Sequence, residues 1–195
     1  MKIRLDQYLV QHGLIQSRER AKALIMSGIV FVNEQKADKA GEMIAPDAKV
    51  EVRGHDIGYV SRGGLKLEKA LRDFGVDPTG FVCSDSGAST GGFTDCLLQH
   101  GAAKVYAVDV GKEQLHERMR RDPRAISMEG TNLRTAPEEL IPEPVDIIVA
   151  DVSFISLTLI LPPCVRWLKE GGLVAALVKP QFELGPHQTD KGVVR

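Results

Sequence analysis

No stretch of this chain approaches the roughly 20 consecutive apolar residues that a membrane-crossing helix needs, so a helical membrane protein is excluded by hydropathy. The start, Met1-Lys2-Ile3-Arg4-Leu5-Asp6, lacks the apolar core of a secretory signal, and a cytoplasmic location is expected. Cysteine is scarce. Cys83, Cys96 and Cys164 are odd in number and lack metal-ligand spacing, which argues against a disulfide framework and a thiolate metal centre. Buried thiols in a reducing compartment are the simplest reading, and no metal is expected. Internal repeats and low-complexity tracts are missing. Net charge is almost missing too, at −1, but the figure hides an asymmetry. Residues 1–72 hold 13 Lys and Arg against 9 Asp and Glu, whereas residues 73–195 hold 12 against 17. A basic front joined to an acidic remainder assigns polyanion binding to the front.

What is present fits a soluble globular chain: 195 residues, 43% apolar and 26% charged, enough for one good core or two small ones. The front reads as a small α+β unit. Leu5 and Leu9 stand at helical spacing in 4–11. Ser17 is placed to cap a second helix reaching Met26, with Ala21, Leu24 and Ile25 on its inner side. Gly28 ends that helix. Residues 29–32 read as a strand, Asn33-Glu34-Gln35 as a turn and 49–52 as another strand. This gives a first domain over 1–53, a polar linker over 54–63 and a second domain over 64–195 that opens with a helix near 65–74. Beyond Pro78, strands expected at 81–85, 103–108, 125–128, 145–150 and 172–178 alternate with helices expected at 92–100, 113–120 and 157–168. That alternation makes an α/β fold with a Rossmann-like parallel sheet and crossover helices.

Asp85-Ser86-Gly87-Ala88-Ser89-Thr90-Gly91-Gly92-Phe93-Thr94-Asp95 follows the first of these strands and leads into a helix. Glycines let a backbone approach a ligand closely, and a helix start offers free N–H groups. The spacing is not the G-x-G-x-x-G of dinucleotide sites, and the run is opened by an acid. A pyrophosphate gains nothing from an adjacent carboxylate, whereas a ligand with an amine or sulfonium does. S-adenosylmethionine is therefore favoured over a nicotinamide cofactor. Asp109, closing the second strand, is placed to hold a ribose through its hydroxyls.

Asp151 ends the apolar run Val145-Asp146-Ile147-Ile148-Val149-Ala150, and Lys179 follows the run from Leu173 to Val178. Both therefore project from carboxyl ends of neighbouring strands, where open α/β sheets bind ligands. Asp151 also suits a cap of the next helix, and Lys179 a plain salt-bridge partner. Lys66, alone, is an ordinary helix-face lysine. In the front, Arg18 and Lys22 share a helix face with Arg20 close by, and Lys2, Arg4, Lys36, Lys39, Lys49 and Arg53 add charge. Such a face suits a phosphate backbone, or else is simply solvated, since Glu19, Glu34 and Glu51 are interspersed.

Together these segments resemble the TlyA (hemolysin A) family of ribosomal RNA 2′-O-methyltransferases. Arg4-Leu5-Asp6, Ser17-Arg18-Glu19-Arg20-Ala21-Lys22 and Ile29-Val30-Phe31-Val32-Asn33 are similar to an S-four-type RNA-binding domain. Tyr59-Val60-Ser61-Arg62-Gly63-Gly64-Leu65-Lys66-Leu67, the glycine-rich run and Asp151-Val152-Ser153-Phe154-Ile155-Ser156 resemble an FtsJ-type methyltransferase domain. The resemblance implies a catalytic lysine, aspartate, lysine and glutamate, with Lys66, Asp151 and Lys179 at the first three positions. The glutamate lies in the family near the end of a longer domain, past Arg195, and Glu183 does not match it. The family's last two strands lie there too, so a truncated domain lacking its last strands is expected.

In the implied mechanism a deprotonated Lys179 takes the proton of a ribose 2′-hydroxyl, Asp151 orients it, and Lys66 positions the hydroxyl and, as a second cation, depresses the pKa of Lys179 so that it can act as base. Asp85, Gly87, Gly91 and Gly92 are expected along the methionine arm of the cofactor, Asp109 at its ribose and Asn132 at the adenine edge. Arg4, Arg18, Arg20, Lys22 and Lys36 are expected to meet RNA. The partner implied is ribosomal RNA or a ribosomal subunit, modified at a cytidine ribose, with no membrane partner. The competing readings are a non-catalytic RNA-binding protein and a membrane-lytic hemolysin, the latter opposed by the missing spanning segment.

Overall fold

The computed structural model describes residues 2–15, 17–53 and 58–184, with the backbone alone of 189–190 and 193–194. The chain divides after Arg62 into two compact units. The expected linker falls partly on residues 54–57, outside the described residues.

The first unit runs β1 (Ile3–Arg4), α1 (Leu5–Gln11), α2 (Arg18–Met26), β2 (Val30–Val32), β3 (Gln35–Lys36), β4 (Met43–Ile44) and β5 (Val50–Val52). β2 sits between β3 and β5, and β1 pairs with β4, all antiparallel. Leu5 and Leu9 meet Ala21, Leu24, Ile25 and Val30 in one buried cluster. Ser17 caps α2, its Oγ accepting the Arg20 N–H at 3.2 Å. Asn33 and Glu34 both take positive φ, 47° and 68°, which turns the chain tightly between β2 and β3. Asp6 is wholly buried and accepts from Arg4 at 3.0 and 3.1 Å and from Arg18 at 3.0 Å. The Arg4 hydrogen bond, joined by Arg18 and opposed by burial, pulls its pKa down to about 2.

The second unit opens with α3 (Gly63–Phe74). Then come β6 (Val82–Ser86), α4 (Gly92–Gln99), β7 (Lys104–Asp109), α5 (Glu117–Arg121), β8 (Ala125–Glu129), β9 (Val145–Ala150), α6 (Leu157–Cys164), β10 (Leu168–Ala176) and α7 (Pro180–Glu183). Short 3₁₀ turns lie at Leu133–Thr135, Glu138–Leu140 and Val165–Trp167, and a small antiparallel pair, β11 (Thr189–Asp190) and β12 (Val193–Val194), follows α7. The sheet has the order β10-β9-β6-β7-β8 and is parallel throughout. The chain steps outward from β6 to β8, then crosses to β9 on the other side of β6. That reversal opens a crevice at the carboxyl ends of β6 and β9. Tyr106, Val108, Ile148 and Ala150 pack with Ile160, Cys164 and Trp167, while α4 packs on β6, β7 and α3.

Three expected elements change length. α5 spans only Glu117–Arg121, because the Glu129 carboxylate takes the N–H groups of Gln114 and Leu115 at 2.8 and 3.0 Å and Glu113 turns left-handed at φ 58°. α6 stops at Cys164 after Pro162 and Pro163, which lack the N–H that continues a helix. β10 begins at Leu168, before an irregularity between Leu168 and Leu173 that contains Gly171 and Gly172.

Candidate functional site

The glycine-rich run leaves β6 at the crevice. Gly87 takes φ 88°, and the N–H groups of Gly87 and Ala88 both donate to Val108 O, at 2.8 and 3.2 Å. A Cβ on Gly87 would stand 2.9 Å from Val152 Cγ1. Only glycine lets the run lie this close to the segment after β9. Gly91, at φ 89°, is the N-cap of α4, and a Cβ there would stand 2.8 Å from Leu115 Cδ1. Gly92 opens the helix itself.

Asp85 is 1% exposed. Its Oδ2 accepts the Thr94 N–H at 2.9 Å and the Thr94 hydroxyl at 2.7 Å. Its Oδ1 is buried and accepts no hydrogen bond among the described residues. Burial raises its pKa to about 7, against the Thr94 hydrogen bonds and with help from the charges of Asp109 and Asp151. A buried acceptor with no donor is costly unless a ligand supplies one. Asp109, at the end of β7, is held by the Ser89 N–H at 2.8 Å and the Gly111 N–H at 2.7 Å. Each of its oxygens keeps a lone pair for a further donor. The turn after β8 lies against it, since Thr131 N–H donates to Asp109 O at 2.9 Å. Asn132 is exposed, and its Oδ1 caps the next 3₁₀ turn through the Arg134 N–H at 3.0 Å. Its amide N–H₂ and the second lone pair of Oδ1 are left for another group.

Lys66, Asp151 and Lys179 meet although 85 residues separate the first two. Lys66 Nζ donates to Asp151 Oδ2 at 2.8 Å from the first turns of α3. Lys179 Nζ lies 2.6 Å from Asp151 Oδ1 and donates to Ser153 Oγ at 2.8 Å. The contact with Oδ1 is an ion pair by distance but falls outside hydrogen-bonding angles. Burial alone would raise the Asp151 pKa, but the two lysines outweigh it and hold it low. One carboxylate thus faces two ammonium groups, one member from each of three separate elements.

In the first unit the expected basic residues differ in their engagement. Arg4 and Arg18 are anchored on Asp6. Arg20 Nη1 donates to Tyr59 O at 3.2 Å. Lys22 is exposed, and Lys36 lies across Gly28, where a Cβ would fall 2.3 Å from its Nζ. Lys49 and Arg53 pair with Glu34 and Glu51, which removes them from the positive face.

The S4 domain family matches residues 3–50, and the FtsJ-like methyltransferase family matches residues 59–195. The chain belongs to the FtsJ-like methyltransferase family. YqxC of Bacillus subtilis is 51% identical to this methyltransferase over all of its chain, which covers 70% of that relative. The protein named 16S/23S rRNA (cytidine-2′-O)-methyltransferase TlyA, from Mycobacterium tuberculosis, is 43% identical over 99% of the chain and 72% of its own length. A solved structure of a Streptococcus thermophilus protein named after the hemolysins superimposes with a TM-score of 0.73 at 47% identity, covering 100% of this chain and 72% of that one. Among the described residues no helix is long and apolar enough to cross a membrane.

Two features of this FtsJ-like methyltransferase escape the sequence pattern. Ser153 joins Lys179, and Phe154 stands 90% exposed at φ 64°, its ring 5.1 Å from that of Phe182. A left-handed, solvent-facing phenylalanine costs on the order of 1–3 kcal/mol of backbone strain. Within Val152-Ser153-Phe154-Ile155 it reads as one more apolar residue. Its signals are its place three residues after Asp151 and the family-like run from Asp151 to Ser156 that contains it.

Proposed function

We propose that this protein transfers a methyl group from S-adenosylmethionine to a ribose 2′-hydroxyl of ribosomal RNA, at a cytidine, with the RNA held by the S4 domain. The observation that carries the reading is the Lys66–Asp151–Lys179 cluster beside the glycine-rich turn. The residues of that turn fit the cofactor. The unpartnered Asp85 Oδ1 calls for a cationic donor, Gly87 and Gly91 let the left-handed turn pack tightly against Val152 and Leu115, and Asp109 can accept from ribose hydroxyls. When bound, S-adenosylmethionine supplies an electrophilic methyl group.

The chain's own residues would handle the proton. A ribose hydroxyl is a poor nucleophile until a base takes its hydrogen. Lys179 Nζ is the acceptor in this reading. In its neutral form the Lys179 amine takes that hydrogen and becomes an ammonium beside the Asp151 carboxylate, which then faces two cations. Lys66 Nζ then holds the hydroxyl oxygen in line, and Asp151 and Ser153 fix the direction of Lys179. Phe154 and Phe182 offer an aromatic surface on which an unstacked base can lie.

The test is label transfer from methyl-tritiated S-adenosylmethionine to each purified ribosomal subunit and to naked rRNA, followed by mapping of 2′-O-methyl sites. Label at a cytidine ribose is expected. RNA binding without any label would favour the non-catalytic reading, and label on a base would replace the ribose assignment. The RNA face has its own test in Lys22→Ala, which leaves the Asp6 ion pairs intact. Loss of one phosphate contact should lower the log–log salt slope of binding by roughly 0.7–0.9. Filter binding across a salt series reads it, and an unchanged slope would make Lys22 a solvated surface lysine.

A further inference from the structure

Glu183 lies outside the Lys66–Asp151–Lys179 cluster, yet it closes a clamp around it. Its Oε2 accepts the Ser156 hydroxyl at 2.6 Å, and its Oε1 accepts the Leu157 N–H at 2.9 Å. Ser156 is the N-cap of α6, so the Glu183 carboxylate joins the cap of a helix that starts 26 residues earlier. α7, which carries Glu183, has only four residues and cannot hold its shape alone. Lys179 is the N-cap position of that same helix. Three residues tie α7 to the segment 151–157: Lys179 to Asp151 and Ser153 at its start, Phe182 to Phe154 in its middle and Glu183 to Ser156 and Leu157 at its end.

We infer that Glu183 is a positioning residue for Lys179, fastening α7 to the N-terminus of α6 so that the lysine is held at Asp151. The inference rests on the methyl-transfer reading only for its activity readout. Asp151 and Ser153 are reached by the tip of a long, flexible side chain, which does not by itself fix where the backbone of residue 179 stands. The aromatic pair is tilted and exposed on one side. Leu177 N–H on Ala150 O, at 2.8 Å, holds the strand end two residues before Lys179, and beyond it, among the described residues, the end-on carboxylate joins α7 to the start of α6 through short hydrogen bonds.

The chemistry separates this role from a catalytic one. Glutamine keeps the length and can still accept the Leu157 N–H while donating to Ser156 Oγ, whose own hydrogen can turn to Thr158 Oγ1, 2.7 Å away. Aspartate keeps the charge but is one methylene too short to reach. Alanine removes the clamp. The experiment compares Glu183→Ala, Glu183→Gln and Glu183→Asp in the full chain by two readouts. The first is the rate at which an amine-acylating reagent labels Lys179, read by mass spectrometry and normalised to exposed Lys22. The second is single-turnover methyl transfer to rRNA, with S-adenosylmethionine affinity measured alongside.

Glu183→Ala and Glu183→Asp should label Lys179 several-fold faster and lose about 10- to 100-fold in rate, with cofactor affinity within about twofold. Glu183→Gln should match the parent protein in both. If Glu183→Ala leaves labelling and rate unchanged, or if glutamine fails as badly as alanine, the positioning role is overturned. Should Glu183→Ala not fold, the contrast between glutamine and aspartate decides alone. Faster Lys179 labelling in Glu183→Ala, together with a parent protein that methylates no rRNA, would keep the clamp and discard the methyl-transfer reading.

Discussion

Lys179→Met should bring methyl transfer to rRNA down by about 10²–10⁴-fold, the usual worth of a positioned proton acceptor, while S-adenosylmethionine still binds. Methionine keeps the apolar stem and removes the amine. Asp151 would retain Lys66 at 2.8 Å, so the carboxylate is not left alone and the crevice should stay folded. Lys179→Arg should fare little better than methionine, because a guanidinium does not give up its proton at ordinary pH. Single-turnover rates with saturating cofactor measure the effect, and calorimetry checks binding. An interaction made only with the reacting hydroxyl lowers the rate and leaves cofactor affinity alone. A Lys179→Met protein that keeps a tenth of the parent rate would show that another group takes the proton, and Lys66 would be the first to test.

How far the sequence reveals this arrangement depends on how each residue is held. β7 and β9 are covered on both faces, so Val105-Tyr106-Ala107-Val108 and Ile147-Ile148-Val149-Ala150 stand out as unbroken apolar runs with acids at their ends. Asp109 and Asp151 are legible for that reason. β1, β3 and β4 have two residues each, too few for any period. The start of β10 hides in Lys169-Glu170-Gly171-Gly172, where exposure and an irregular register erase the apolar signal. Lys66 has no pattern of its own, because a lysine on an amphipathic helix is ordinary and its partner lies across the fold. Only resemblance to a known family singles it out. Glu183 and Thr94 work through tertiary hydrogen bonds, to Leu157 and Asp85, which no spacing encodes. The resemblance also proved sound at the level of the family, while the front's positive face is narrower than its composition suggests, since Glu34 and Glu51 pair with Lys49 and Arg53.

Asp85 should make cofactor binding steeply dependent on pH. Its folded pKa of about 7 stands above the ordinary 3.8, chiefly because of burial. Between pH 4 and 7 the folded protein therefore keeps a proton that the unfolded chain has lost, and stability without cofactor should fall as pH rises through that window. The side chain is 1% exposed, so solvent does not soften the effect, which reaches on the order of 4 kcal/mol at pH 8. A cationic amine at Oδ1 reverses the preference, because only the ionised carboxylate pairs with it. Binding below pH 7 must then expel the Asp85 proton, and affinity for S-adenosylmethionine should drop about tenfold for each unit of acidification. Calorimetry in buffers of different ionisation enthalpy would register that proton at pH 6 and not at pH 8. Asp85→Asn should lose about 10²- to 10³-fold in affinity, because an amide N–H₂ would replace Oδ1 and face the cation. The same variant can still accept from Thr94 through its carbonyl oxygen, so its stability without cofactor should no longer fall between pH 4 and 7 through this position. Thermal melts across that range test it. If affinity is flat from pH 5 to 8 and Asp85→Asn binds like the parent protein, then the unpartnered oxygen meets no cation in the complex, and Asp85 serves only to hold Thr94.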